Sequence, residues 1–456
     1  MPSILTGLPA SILPGVVSGP ITLSPSQLIS QMGITGHFSN SANWDNVTFI
    51  YTDSTFVEPF GMNFPIGTLT SNFYVDATAI QNTWLCEIIV IYDLQGGEYI
   101  LRRSTSALAQ FDVLVGAIPT YEFVYTANYR DNDLSMYSLN KISGQLTALS
   151  PATVGSGNGP ITVVTHPSGK FAYCTNNTDN TVSMYSINQT TGKLTALSPA
   201  TIATQSQPSG ITVHPSGNWL YVMNQASTTV EMYSINTGTG QLTSLGTIAT
   251  GGAFPQFMVI TPSGQFAYVV NAAGGDVAQY SIDLGTGLLT VLGGSPIPAG
   301  SLPGQPAIDT TGSFLYVPIT DPAWHAIVQF DLNPSTGQMN YIVNTVNSGA
   351  RPYQIVVTPD NKYAYVADFS GGFITMYAIT AGTGYLTPLS PVTIPAGSLS
   401  FHLTIDTSGK FLYCINYNDN TINMYSINST NGQLTALSPA TIGTGAGPYG
   451  ITSVQT

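Results

Sequence analysis

Few side chains in this 456-residue chain could move a proton or hold a charge against a ligand: lysine plus arginine number 9, aspartate plus glutamate 22 and histidine 5. Two stand out by position, His402 in the segment Ser400-Phe-His402 and Arg351 immediately before Pro352. Around them the sequence supplies amides, Gln305 and Gln354, and aromatic rings, Phe257, Tyr353, Phe401 and Tyr449. General acid–base catalysis needs a histidine or carboxylate of shifted pKa and a second group to orient it. One histidine and one arginine fall short of that set. Rings beside amides suit another task, stacking on the face of a sugar while the amides bond its hydroxyls.

The elements that must position these residues are repeats. An aromatic strand recurs as Phe123-Val-Tyr125, Phe171-Ala-Tyr173, Trp219-Leu-Tyr221, Phe266-Ala-Tyr268, Phe314-Leu-Tyr316, Tyr363-Ala-Tyr365 and Phe411-Leu-Tyr413, its central tyrosines 48, 48, 47, 48, 49 and 48 positions apart. So regular a period marks a repeat architecture. The second copy shows the unit's parts: Ile161–Val164, the turn Pro167–Lys170, Phe171–Cys174, the polar loop Asn176–Asn180, Val182–Ile187, a Thr191-Gly192 turn and Leu194–Leu197. Apolar and polar residues alternate, which predicts four short strands and no helix. The turn glycine recurs at Gly144, Gly192, Gly240, Gly287, Gly337, Gly384 and Gly432, as expected where a tight reversal demands positive φ. Four antiparallel strands per unit make a propeller blade.

The first unit opens at its second strand, Glu122–Tyr125, and the missing inner strand reappears at the other end, Pro448–Val454. That completes the first blade and predicts a closed seven-bladed β-propeller over 119–456 rather than a capped solenoid. Aligning the inner strands on Pro160, Pro208, Pro255, Pro303, Pro352, Ser400 and Pro448 places one ring of residues two positions on: Thr162, Gly210, Phe257, Gln305, Gln354, His402 and Gly450. The eight candidate ligand-binding residues of the first paragraph therefore converge on one funnel. Arg351 is the one arginine expected beside an inner strand, and Glu122 and Glu231 fall on second or third strands.

Residues 1–118 carry no repeat. Segments 46–51, 71–75, 84–92, 98–102 and 110–115 read as strands, with a Gln95-Gly-Gly97 hairpin turn, and 24–32 reads as a short helix begun by Ser24-Pro25. The expectation is a small β-sandwich-like domain over 21–118, preceded by an extended apolar arm, 1–20, that docks on a neighbouring subunit.

Only 7% of residues are charged and the net charge is −13, without a basic stripe. This argues against nucleic acid and against an anionic membrane surface. No apolar run reaches the length of a membrane span, and the N-terminus lacks the basic start of a secretory signal. A surface of hydroxyls and amides nearly free of lysine reads as extracellular or virion-borne. His166 and His214, each before Pro-Ser-Gly, lack ligand spacing, and Asp131-Asn-Asp133, Asp179-Asn180 and Asp419-Asn420 read as turn formers rather than calcium ligands. No metal and no cofactor is expected. Cys86, Cys174 and Cys414 read as small buried hydrophobes, the last two separated by a whole blade.

The unit Pro-x-x-(Ile/Val)-x-Val-x-Pro-Ser-Gly-Lys-Phe-x-Tyr, with Val-Ser-Met-Tyr-Ser-Ile and Thr-Gly-x-Leu-Thr after it, resembles the lactonase-type seven-bladed propeller family over 121–456. The resemblance implies the fold, and it implies a funnel site that uses His, Glu and Arg, with His402 where such enzymes often carry a histidine. Because that set is incomplete, the leading expectation is a non-enzymatic surface protein of a virion or other extracellular assembly, held by its N-terminal region to copies of itself or other subunits. A carbohydrate- or receptor-binding propeller, with a glycan as partner, and a lactonase-like hydrolase remain as alternatives.

Overall fold

The computed structural model describes residues 121–456, together with six short N-terminal strands. It divides into two units, Met1–Thr120 and Tyr121–Thr456.

The second unit is a seven-bladed propeller of antiparallel blades whose inner strands surround the axis. Blade 2 is representative: inner strand Pro160–Thr165, second strand Phe171–Asn176, third strand Thr181–Ile187 and outer strand Leu194–Ala203. Second strands are buried at every position except Phe314 in blade 5, which explains why they carry apolar residues at consecutive positions. Outer strands run longer than their sequence suggested, ten residues in blade 2, continuing through Ser198-Pro199. An edge strand tolerates this proline because its missing N–H would face solvent. Blade 4 differs: its outer edge is two pieces, Leu289–Val291 and Ile297–Pro298, both paired to the third strand.

One device joins every blade to the next. The central tyrosine of each second strand donates to the turn-glycine carbonyl of the following blade at 2.7–2.9 Å, as Tyr125 Oη does to Gly192. The aromatic two positions earlier covers the same glycine. A Cβ on Gly192, where φ is +70°, would stand 2.2 Å from the Phe123 ring. Turn glycine and aromatic strand are thus two halves of one contact, which is why they recur in phase. His166 and His214 do the same work at the other turn, with Nε2 at 2.8 and 3.0 Å from the carbonyls of Gly217 and Gly264. They are interblade ties, a more definite role than turn decoration.

Closure follows the predicted route. Pro448–Gln455 pairs with Glu122–Asn128 from Pro448↔Asn128 to Gln455↔Glu122, and Tyr413 of blade 7 donates to Gly144 of blade 1 at 2.8 Å. Cys174 and Cys414 are buried free thiols in the two blades flanking the first, and burial pushes both up in pKa. The aspartates of the polar loops accept backbone N–H groups: Asp131 from Ala446, Asp179 from Asn158 and Asp419 from Ser398. They tie each polar loop to the loop that precedes the inner strand of the same blade, rather than capping their own turn.

In the first unit, Met32–Thr35, Ile88–Tyr92, Tyr99–Arg103 and Phe111–Leu114 form one antiparallel sheet. The last three fall on segments expected as strands; Met32 is a strand residue rather than a helix end. Leu5–Thr6 pairs with Thr22–Leu23, so this part of the arm folds back on its own chain. The remainder of the expected arm and helix, segments 46–51 and 71–75, and Cys86 lie outside the described residues.

Candidate functional site

The aromatic side chains in the first positions of the inner strands are not open platforms. Phe257, Tyr353 and Phe401 are buried against one another, with Phe369, Leu399, Tyr417 and Tyr449 packed around them. Ring centroids stand 5.1 Å apart for Tyr353–Phe401 and 5.0 Å for Phe401–Tyr449. The stacking role for Phe257, Tyr353, Phe401 and Tyr449 is therefore corrected: their faces are spent on each other, and they plug the axis.

His402 sits inside this plug, 4% exposed, with the Tyr353 ring centroid 5.4 Å away and that of Tyr449 5.6 Å away. Its Nδ1 is hydrogen-bonded to the Tyr449 carbonyl, while Nε2 has no partner. Burial lowers its pKa to about 4, the Tyr449 carbonyl opposing in part. The imidazole is neutral at ordinary pH, with the Nε2 lone pair free. At the same level Gln305 Oε1 and Thr162 Oγ1 also lack partners, whereas Gln354 Oε1 accepts from Leu403 N. Tyr353 and Tyr449 share a hydroxyl contact of 3.2 Å, and Gln256 Nε2 donates to Tyr353 Oη at 3.3 Å. Desolvation holds Tyr353 well above the usual phenol range, so its hydroxyl stays protonated.

Above the plug the mouth is built from two sequence positions per blade. One is the residue before each inner strand: Gly159, Gln207, Phe254, Leu302, Arg351, Leu399 and Gly447. The other follows each second strand, and its N–H donates to the carbonyl of the first at 2.8–3.0 Å, as Ala272 does to Phe254 and Phe369 to Arg351. Those partners are aromatic in blades 6, 7 and 1, namely Phe369, Tyr417 and Tyr129, but small in blades 4 and 5, Ala272 and Thr320. Small residues on one side of the mouth leave a recess of 330 Å³, walled by Phe254, Leu302, Pro303, Ala272 and Tyr353, with Gln256, Thr320 and Arg351 as its polar groups.

Arg351 lies over the Phe369 ring, Cζ to centroid 4.9 Å, with Nε unpartnered. No acid among the described residues pairs with its guanidinium. The carboxylate of Asp368 is fully buried and accepts from the Arg351 and Ser370 backbone N–H groups at 3.0 and 3.1 Å and from Gly371 N. Asp368 does not stand out in sequence, because it closes a strand that reads as purely structural. It stands where second strands otherwise end in asparagine (Asn128, Asn176, Asn224, Asn271, Asn416), and Ile319 is the other exception. Arg130 was missed too: placed beside Gly447, it lies 4.7 Å over the Tyr417 ring, so Arg351 is not the only arginine at this mouth.

A second cavity, 620 Å³, follows the axis at the far ends of the inner strands, lined by Thr165, Thr212, Val213 and Asp406 among others. Asp406 Oδ1 accepts from the N–H groups of Lys410 and Phe411 at 2.7 and 2.6 Å, and its Oδ2 accepts from Ser408. Among the described residues no cluster of histidine, cysteine or carboxylates could hold a metal.

The sequence pattern of the family described as lactonase, 7-bladed beta-propeller matches residues 114–303, 298–398 and 374–447. Among solved structures, the periplasmic gluconolactonase of Pseudomonas aeruginosa superposes with TM-score 0.62 at 15% identity, covering 74% of this chain and 99% of its own. A candidate 6-phosphogluconolactonase from Bacteroides fragilis gives 0.63 at 19%, covering 73% and 98%. At such identities the likeness establishes the fold alone. No curated protein matches the chain in sequence.

Proposed function

The chain belongs to the lactonase, seven-bladed β-propeller family, and from that premise we propose that it is a lactonase-like hydrolase whose substrate enters the recess beside Arg351. Membership of the family corrects the expectation of a non-enzymatic virion or filament protein. That reading leaned on scarce charge and a missing catalytic set, yet scarce charge describes the blade exteriors and has no bearing on one recess. The observation that carries the proposal is the guanidinium of Arg351, without an acidic partner, on an apolar-walled cavity, with a neutral histidine and its free lone pair behind Tyr353.

Hydrolysis adds water to the lactone carbonyl and breaks the ring C–O bond, giving a hydroxy acid. Arg351 polarises the carbonyl and then holds the carboxylate formed, charge-assisted bonds being the strong ones in a site poor in water. Nε2 of His402 accepts the proton of the attacking water. The Tyr353 side chain lines the recess and packs edge-on against the imidazole at 5.4 Å, and a turn of that ring joins the two, a gating motion of ordinary scale. The Tyr353 hydroxyl, kept protonated, hydrogen-bonds the departing ring oxygen, which takes the proton that His402 accepted and becomes the hydroxyl of the product.

Purified protein should open a panel of γ- and δ-lactones in a pH-stat assay well above the spontaneous rate. Arg351→Gln should lower kcat/KM by about 10²-fold, the usual loss when one oxyanion donor is removed. Rates equal to background on every ring, or a fully active Arg351→Gln protein, would refute the reading.

A further inference from the structure

Six of the seven residues that precede the inner strands have positive φ, Arg351 being the exception. Gly159 and Gly447 adopt this conformation without strain, and Gln207 is a polar occupant. Phe254 (φ +62°), Leu302 (φ +52°) and Leu399 (φ +54°) are large apolar side chains in the left-handed region, an unfavourable combination. Leu399 is repaid by packing into the aromatic plug. Phe254 and Leu302 are not, being 39% and 42% exposed. Both line the recess. Strain held on exposed apolar side chains around a cavity is stability given up for something outside the core.

We infer that Phe254 and Leu302 bind the apolar substituent of the substrate, which is therefore a lactone carrying an alkyl or aryl group rather than a polyhydroxylated sugar lactone. The inference rests on the reading of the recess as the lactone site and narrows its substrate. Chemistry of the walls separates the two classes. A sugar ring brings several hydroxyls that must each find a partner once out of water, and the recess offers Gln256, Thr320 and Tyr353, of which Thr320 Oγ1 is already bonded to the Pro352 carbonyl and Tyr353 Oη to Tyr449. Its other walls are Phe254, Leu302, Pro303 and the alanines Ala272 and Ala273, which satisfy nothing but hydrocarbon. Arg351 supplies a single cation for a single carbonyl or carboxylate. One charged head and one apolar tail match that division, and 330 Å³ suits a ring with a short chain.

The test separates binding from turnover by using carboxylates, which need no hydrolysis. Calorimetric titration with straight-chain carboxylates of increasing length, and with gluconate, should show affinity rising about fourfold per methylene until the recess is full, with gluconate the weakest. Phe254→Gly and Leu302→Gly should flatten that dependence while leaving Tm unchanged or raised, because glycine relieves the strained φ; a merely structural residue would lower Tm. Arg351→Gln should weaken every carboxylate alike. A flat chain-length series, tighter binding of gluconate, or a length dependence untouched by both glycine variants overturns the inference. If the carboxylates follow the series but no lactone is opened, the apolar-tailed ligand stands and the hydrolase reading falls.

Discussion

His402 shows how burial sets the role of a single side chain. Its pKa falls from the usual 6.5 to about 4 because the charged form is desolvated, so the folded state binds the proton less readily than the unfolded chain does. The stabilisation is therefore complete above about 6.5 and is lost as pH falls towards 4. Two and a half units correspond to roughly 3 kcal/mol. Denaturant titrations should show that loss between these values, and His402→Gln should remove most of it; His166 and His214, also lowered by desolvation, will leave a shallower slope. Catalysis should track the same group, with an acid limb of kcat/KM near 4. A limb near 6.5 instead would mean that the proton acceptor is not this buried imidazole. His402, Arg351 and Tyr353 were legible from sequence because each sits in or beside an inner strand that the repeat aligns. Asp368, Gln256, Phe254 and Leu302 were not singled out for the site. Each is ordinary in type and becomes visible only as a departure from what the other blades place there.

The elements were readable because each sequence signal has one physical cause. Alternation gives the strands, and the turn glycine recurs since any side chain there would meet an aromatic ring. Gly144→Ala should cost several kcal/mol, with a Cβ 2.2 Å from Phe411 and φ at +74°. Tyr413→Phe leaves the Gly144 carbonyl without its donor and should cost about 1–2 kcal/mol, the same as Tyr221→Phe at an interior blade boundary. Equal losses in chemical denaturation would show that the closing boundary is as firm as the others; a silent Tyr413→Phe would contradict this. Outer strands were underestimated because Ser-Pro looks like a stop, and only the sheet shows that an edge can carry it. The mouth escaped for another reason: the alternation of small and aromatic residues after the second strands becomes a recess only when blades 4, 5 and 6 stand side by side.

For the whole molecule, the ring is the unit of stability. Deleting residues 451–456 removes the pairs Ile451↔Thr126 to Gln455↔Glu122 and leaves Glu122–Thr126 with one bare edge, as well as opening the axis. Such a protein should melt far lower and over a broader range in calorimetry; an unchanged sharp transition would show that the seventh pairing is dispensable. The same closing pair has a mechanical consequence. Gln455 faces Glu122, so the point where the first strand enters the ring and the point where the last one leaves it share one end of the ladder. A load applied between Glu122 and Gln455 does not shear all the rungs together but concentrates on one at a time, as in a zipper. Stretched through these two points in a force spectrometer, the ring should open at low force and in small steps, while a pull between Asn128 and Gln455, at opposite ends of the same ladder, should be resisted by the whole set until it fails at once.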